Sequence, residues 1–246
     1  MINISSNIRY YNKKYICSGH VIEEITYALG VCEGYDSKAT GKRSSDNEKR
    51  SDNINKSKIN LRRLINANVT SNDLFVTLTY AENMTDVNQA KHDFKMFVKA
   101  MKRKGYLLKY VYVVEFQKRG AIHFHVILFD MKYISNDELA SVWKKGFVRI
   151  NRIDKVDNVG AYVVKYMQKD LMDSRLIGKD LYGRSRGLNE PIEIKDSQEV
   201  AVLESVLNDK SLVYQNIRSS VYHGAIQYKQ YNLMRADNQE ESTASL

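Results

Sequence analysis

Tyr110-Val-Tyr-Val-Val-Glu-Phe116 is followed by Gln117-Lys-Arg-Gly-Ala121 and then by Ile122-His-Phe-His-Val-Ile-Leu-Phe129. Both outer runs are β-branched and aromatic, and the short segment between them carries a glycine. The stretch therefore predicts two antiparallel strands joined by a hairpin turn. Side chains alternate across a strand, which puts His123 and His125 on one face and Phe124 on the other. Folding the hairpin about Arg119 sets position 115 opposite position 123. Directly opposed residues share a face, so Glu115 joins the two imidazoles, with Val113 and Val114 beside it in its own strand. A lone carboxylate in an apolar strand is costly to bury. Two imidazoles and a carboxylate with open positions form a divalent-metal site. Mixed nitrogen and oxygen donors suit Mn²⁺, and Mg²⁺ serves with fewer protein contacts.

The neighbouring segments supply a layer around this hairpin. Phe75-Val-Thr-Leu-Thr-Tyr80 reads as a strand, with Thr77 and Thr79 as structural residues. Val87, Ala90, Phe94, Phe97, Val98 and Met101 fall at helical spacing and end in Lys102, Arg103 and Lys104. Ser135 with Glu138 makes a capping box for a helix through Trp143, itself a core residue. Phe147–Ile153 is a further strand, and a helix follows from Asp157 to Asp170. The order β-α-β-β-α-β-α predicts an α+β fold: a central antiparallel sheet with helices on one face. This core spans residues 71–175. Residues 1–70 form a flank with one or two short strands, a polar linker over 36–60 and a basic helix from Lys56 to Asn66. Residues 176–246 form an extension with a glycine- and arginine-rich tract over 178–188, a helix over 197–207, a strand over Tyr222–Tyr231 and a polar tail.

Tyr162-Val-Val-Lys-Tyr166 adds a second chemical element. On a helix, Tyr162, Lys165, Tyr166 and Lys169 share one face. Gly160, Val163, Val164, Met167 and Leu171 form the opposite stripe, which buries readily. Tyrosine is common here, with 17 in the chain, so the spacing alone is weak. Tyr11/Tyr15 and Tyr106/Tyr110 share it, but Tyr110 opens a strand and points away from Glu115. Only Tyr162 and Tyr166 combine the spacing with helical context and an interleaved lysine.

Composition limits the partner. The 246 residues carry 38 Lys and Arg against 29 Asp and Glu, a net charge of +9. That balance favours nucleic acid first and a membrane surface second. No run of about 18 apolar residues occurs to cross a membrane, and the N-terminus has no apolar core of a signal peptide. Two cysteines, Cys17 and Cys32, cannot build a disulfide framework. A cytoplasmic setting is expected. Lys102, Arg103, Lys104, Lys169, Arg184 and Arg186 are the candidate phosphate contacts, and Arg184 and Arg186 sit between Tyr182 and Gly187, where charge and stacking combine. Gly34–Arg43 echoes a phosphate loop but has the wrong spacing, and Arg43 stands where a magnesium-binding hydroxyl belongs.

Taken together these motifs resemble the HUH endonucleases, the family of rolling-circle replication initiators. Gly120–Leu128 resembles the family's metal motif, Tyr162–Tyr166 its two-tyrosine motif, and Phe75–Tyr80 its first strand motif. Tyr182–Leu188 is similar to a tract of filamentous-phage-type initiators. The resemblance covers about residues 71–190. It implies an RRM-like, palm-like sheet and a metal held by Glu115, His123 and His125. It also implies site-specific nicking of single-stranded origin DNA by tyrosine attack, leaving a 5′-phosphotyrosine and a free 3′-OH, followed by strand rejoining. Tyr162 is then the first nucleophile, Tyr166 the second, and Lys165 favours the phenolate. The replicon would be a plasmid or a phage, and a host helicase and polymerase would be partners, because no other nucleotide motif is present. The alternatives are a two-tyrosine transposase and a non-catalytic nucleic-acid-binding module built on an RNA-recognition-like sheet. No membrane partner is expected.

Overall fold

The computed structural model describes residues 9–33, 46–153, 158–167, 180, 182–195, 197–207 and 209–235. The chain opens with β1 (Arg9–Ser18), β2 (Val21–Glu33) and α1 (Asp46–Asn66). It continues with β3 (Leu74–Thr79), α2 (Val87–Arg103), β4 (Lys109–Phe116), β5 (Ile122–Phe129), α3 (Asn136–Trp143) and β6 (Val148–Arg152). Helix α4 (Val159–Val164) runs into a 3₁₀ turn over Lys165–Met167. Then come β7 (Tyr182–Arg184), β8 (Ile192–Ile194), α5 (Ser197–Val206), β9 (Leu212–Ser220) and β10 (Gly224–Asn232). The elements group into two compact units, Asp46–Asn189 and the two chain ends, Met1–Ser45 with Glu190–Leu246. The fold is α+β with two five-stranded antiparallel sheets.

In the unit of residues 46–189 the strand order is β6-β3-β5-β4-β7. The hairpin register is the expected one: Glu115 lies opposite His123, and Val113 opposite His125. Strand β3 pairs on the other side of β5, with Thr77 opposite His125 and Thr79 opposite His123. One face carries Leu74, Val76, Leu78, Val114, Phe116, Ile122, Phe124, Val126 and Leu128. Against it pack Val87, Ala90, Phe94, Phe97 and Met101 of α2, with Leu139 and Trp143 of α3. Asp86 starts α2 by accepting from the amides of Asn88 and Gln89, which satisfies two of the helix's open donors. Ser135 caps α3 through the amide of Glu138. The other half of that capping box is diverted, because the Glu138 carboxylate accepts from the Tyr106 hydroxyl at 3.0 Å.

The opposite face is apolar as well. Phe75, Val111, Val113, Ile127 and Phe129 cluster with Leu61, Leu64 and Ile65 of α1 and with Val159 and Val163 of α4. Helices therefore cover both faces of this sheet, not one. The reason lies in β5, where Ile127 and Phe129 share a face with the histidines while Phe124, Val126 and Leu128 occupy the other. A central strand apolar at both parities needs cover on both sides. The cover comes from α1, which begins at Asp46 and so takes in most of the stretch expected as a polar linker. Its Ser, Asn, Asp and Lys residues form the outer side, while Ile54, Leu61 and Ile65 are buried at helical spacing.

In the unit of the chain ends the order is β8-β1-β2-β10-β9. The N-terminal strands expected as a flank pair directly with strands of the C-terminal extension: Ile22 lies opposite Tyr231, and Cys17 opposite Ile192. Tyr15, Ile22 and Tyr231 form a small buried cluster with Leu203 and Leu212 packed on it. The Tyr231 hydroxyl donates to the Glu24 carboxylate at 3.0 Å. Strand β9 has no counterpart in the sequence reading, and the strand expected over Tyr222–Tyr231 begins at Gly224 after a turn. The phosphate-loop echo over Gly34–Arg43 and the polar tail lie outside the described residues, the latter from residue 236 on.

Candidate active site

Glu115, His123 and His125 converge at the hairpin end of β4 and β5. Their ligand atoms all lie within 4.8 Å of one another, the one such group of three among the described residues. Each side chain is positioned differently. Glu115 is 8% exposed, and its Oε2 sits 2.5 Å from His125 Nε2. His125 is 6% exposed, and its Nδ1 faces the Thr77 hydroxyl at 3.4 Å. His123 Nε2 is buried and has no hydrogen-bond partner. Burial pushes the His123 imidazole below its ordinary value; the charges of His125 and Arg119 add to this and Glu115 opposes it. A neutral imidazole with an orphaned ring nitrogen beside a carboxylate and a second imidazole is the donor set a divalent cation takes. The three residues fit that group.

Helix α4 is fixed by a contact the sequence does not advertise. Asn158 caps it through the amide of Ala161 at 2.9 Å, and Asn66 of α1 donates to the Asn158 side chain at 3.1 Å. The Gly160 amide donates to Asn66 Oδ1 at 2.9 Å. A Cβ at Gly160 would run into the Arg62 carbonyl of α1, so only glycine lets the two helices approach this closely. Val159 and Val163 point inward. Tyr162 and Tyr166 are thereby brought over Phe75, and their hydroxyls are 2.9 Å apart. Tyr162 is 40% exposed. Tyr166 stacks on the His125 ring with centroids 3.8 Å apart. Burial, and then the bond with Tyr162, push the Tyr166 phenol above its ordinary value. Of the helix expected from Asp157 to Asp170, the described residues form α4 as far as Val164 and then tighten into the 3₁₀ turn that carries Lys165 and Tyr166.

A cleft of about 500 Å³ runs along this face of the sheet. Phe75 and His125 line it together with Tyr162 and Tyr166, and it reaches Arg149 on β6. Residues 73–171 match the family model of the replication-associated protein of the ORF2 and gene 2 protein type. No curated protein and no solved structure matches the chain. The matched stretch is 99 of the 246 residues and includes all three candidate metal ligands and both tyrosines. The chain is similar to that family over this stretch.

The remaining candidates fall in different places. Lys165 is exposed, and its Nζ lies 6.0 Å from the centre of the Tyr162 ring. Arg184 pairs with Val111, on the same face as Glu115, and Arg186 follows it in the next loop. Lys102, Arg103 and Lys104 end α2, which packs on the other face of the sheet. Lys169 lies outside the described residues. Sequence reasoning missed Arg149 and treated Thr77 as structural, although Thr77 touches a metal-ligand candidate. Both stand on strands whose pairing partners are distant in sequence, so no local pattern marked them. No described helix is long and apolar enough to cross a membrane.

Proposed function

We propose that this protein starts rolling-circle replication by nicking single-stranded origin DNA through a tyrosine and later rejoining the strand. The observation that carries the reading is the Glu115, His123 and His125 cluster with the ring of Tyr166 stacked directly on His125 and the Tyr162 hydroxyl beside it. The similarity of residues 73–171 to replication-associated proteins supports it. Glu115, His123 and His125 would hold one divalent cation, Mn²⁺ or Mg²⁺. When bound, that ion supplies Lewis-acid stabilisation of charge on the scissile phosphate.

The chain's own residues do the rest. The Tyr162 oxygen, the more exposed of the two, attacks phosphorus. A bond forms from that oxygen to phosphorus, and the bond from phosphorus to the 3′-oxygen breaks. The phenol proton is lost, the 3′-oxygen takes one up, and the products are a 5′-phosphotyrosine and a free 3′-OH. The phosphodiester energy stays in the covalent link, so rejoining needs no nucleotide. Lys165 favours the developing phenolate by charge. Tyr166 remains to accept a second strand while Tyr162 carries the first. Arg184 and Arg186 contact the DNA backbone from the edge strand, and Lys169 extends that set; Lys102, Arg103 and Lys104 are its most remote members. A host helicase and polymerase would complete the cycle.

The test is nicking of single-stranded and supercoiled DNA from the gene's own replicon, with Mn²⁺ or Mg²⁺ and with chelator. Metal-dependent cleavage with a covalent adduct mapped to Tyr162 or Tyr166 is expected. Binding without cleavage in any metal would leave a nucleic-acid-binding module instead. Cleavage at terminal ends, with no origin beside the gene, would make the protein a transposase.

A further inference from the structure

The cleft beside the metal ligands has a second end. Across the sheet the residues Val113, His125, Thr77 and Arg149 form one row through β4, β5, β3 and β6, because each pairs with the next. The row above it is Glu115, His123 and Thr79, and Phe147 continues it, since the Thr79 amide donates to the Phe147 carbonyl at 3.0 Å. Phe147 and Arg149 are two residues apart and share the face that holds the metal ligands. Both line the cleft. Two strand spacings separate the row position of Arg149 from that of His125, about 10 Å, which is within the reach of a dinucleotide laid across the sheet.

Phe147 is unusual in how it is held. Its ring is 70% exposed. Its backbone is pinned: the carbonyl accepts from both the amide and, at 2.9 Å, the hydroxyl of Thr79. Thr79 is fixed in turn by its own carbonyl, which accepts from the Trp143 indole at 2.7 Å. Gly146, one residue earlier, lies so close to the backbone of Thr79 and Ala81 that a Cβ there would collide with both. Trp143, Gly146 and Thr79 thus fix the strand entry where a large apolar ring faces solvent. Nothing in the packing of the described residues needs that ring outside. A rigid aromatic beside an exposed arginine, next to a phosphate-handling centre, is what stacks a base and pairs with its phosphate.

We infer that Phe147 and Arg149 form a subsite for one nucleotide of single-stranded DNA flanking the scissile phosphate, with the base on Phe147 and a phosphate on Arg149. The inference rests on the nicking reading for its choice of ligand. Its role is to fix the register of the strand over the metal ligands. The stacking is sequence-tolerant, since every base has a π-face.

The test uses the full chain in chelator and a fluorescent oligothymidylate, with binding followed by anisotropy over a range of salt. Phe147→Ala should weaken binding about 5- to 150-fold, the span of a lost stacking residue, and leave the salt slope unchanged. Phe147→Tyr should keep the affinity. Arg149→Ala should lower the slope by about 0.7, one phosphate on a single strand, and Arg149→Lys should restore it. Both side chains are solvent-facing, so the folded fraction, checked by circular dichroism, should not change. If the unaltered protein binds and both alanine variants bind equally well, the subsite is wrong and the nicking reading stands. If binding depends on Phe147 and Arg149 but no DNA is ever cleaved, the subsite stands and the nicking reading falls. If the unaltered protein does not bind single-stranded DNA, both fall.

Discussion

The two units of this chain differ most in charge and in how their sheets are made. Residues 46–189 carry 27 Lys and Arg against 16 Asp and Glu, a balance of +11. The two chain ends together carry 11 against 13, a balance of −2. The whole excess of positive charge therefore sits in the unit that holds the metal ligands and the tyrosine pair. An anionic polymer would be attracted to that unit and not to the other. The sheet of the first unit grows from a hairpin whose strands are five residues apart, whereas the second is closed by β2 and β10, which lie about 200 residues apart. Chemistry thus gathers where local pairing and positive charge coincide. The chain-end unit instead satisfies its own acids, with Lys13 on Glu204 and Lys14 on Glu193.

The sharpest way to break this contrast is to remove the metal donors. His123→Ala with His125→Ala should abolish nicking, a loss of several orders of magnitude, while affinity for DNA stays close to normal, because phosphates supply most of it. His223→Ala in the other unit should leave nicking intact. Equal damage from both variants would mean that the chemistry is not confined to one unit.

The tyrosines come next. Tyr162→Phe should cost orders of magnitude in the first cleavage, since it removes the nucleophile at that step. Tyr166→Phe should nick but fail to release closed circles. The structural basis is the inequality of the pair: Tyr162 is the more exposed, and Tyr166 is packed on His125 and held protonated by burial. An adduct mapped to Tyr166 in the first cleavage would reverse the order.

The contrast also explains which parts of the fold are legible in the amino-acid sequence. The register of Glu115 against His123 is legible because a turn of known length fixes parity. The α2 stripe and the start of α3 are legible from periodicity and a cap. Cover of the second face is not, because the Ser- and Asn-rich run before Lys56 masks Ile54 and hides a helix that starts at Asp46. The seat of α4 depends on Asn66 and Gly160, which are 94 residues apart and carry no periodic signal. Strand β9 is polar on most positions and pairs only with β10, so its pattern resembles a loop. Long-range pairing and polar edge strands are the parts that a window of sequence cannot reveal.

Gly160→Ala probes that hidden seat. Its Cβ would press on the Arg62 carbonyl and strain the α1–α4 contact. Overpacking of this kind costs about 1–3 kcal/mol, read as a lower thermal midpoint. Nicking should fall by about tenfold or more, because a misplacement near 1 Å at the reacting oxygen is severe. An unchanged rate would show that α4 finds its place without this contact.

A smaller effect follows from His123. Its folded value lies below the ordinary one near 6.5, so the fold prefers the neutral ring. That preference contributes stability fully above pH 6.5 and loses it as pH falls through the lower folded value. The metal-free protein should therefore lose thermal stability on acidification below about pH 6.5, and His123→Gln should lose less over the same window. Affinity for Mn²⁺ should fall in the same range, because protons compete for the ring. A stability profile identical in the two proteins would remove His123 as the group responsible.

The smallest effect separates two basic tracts within the same unit. Arg184 lies on the site face at the edge strand, and Arg186 follows it; Lys102, Arg103 and Lys104 end the helix that covers the other face. Lys109 opens β4 after that helix, and Glu115 is six residues further along the strand, about 20 Å away. A distance of that size exceeds the Debye length of about 8 Å at physiological salt, so the α2 tract acts on DNA at the site only if the strand wraps around the unit. Arg184→Ala with Arg186→Ala should lower the salt slope of single-strand binding by up to about 1.4, two phosphates at about 0.7 each. Neutralising Lys102, Arg103 and Lys104 together should change it by less than one such step, despite removing more charge. The measurement is the affinity for one oligonucleotide across a salt series in chelator. A larger change from the helix tract than from the arginine pair would mean that the DNA path crosses α2, and the site face would then be where the strand ends and not where it is mainly held.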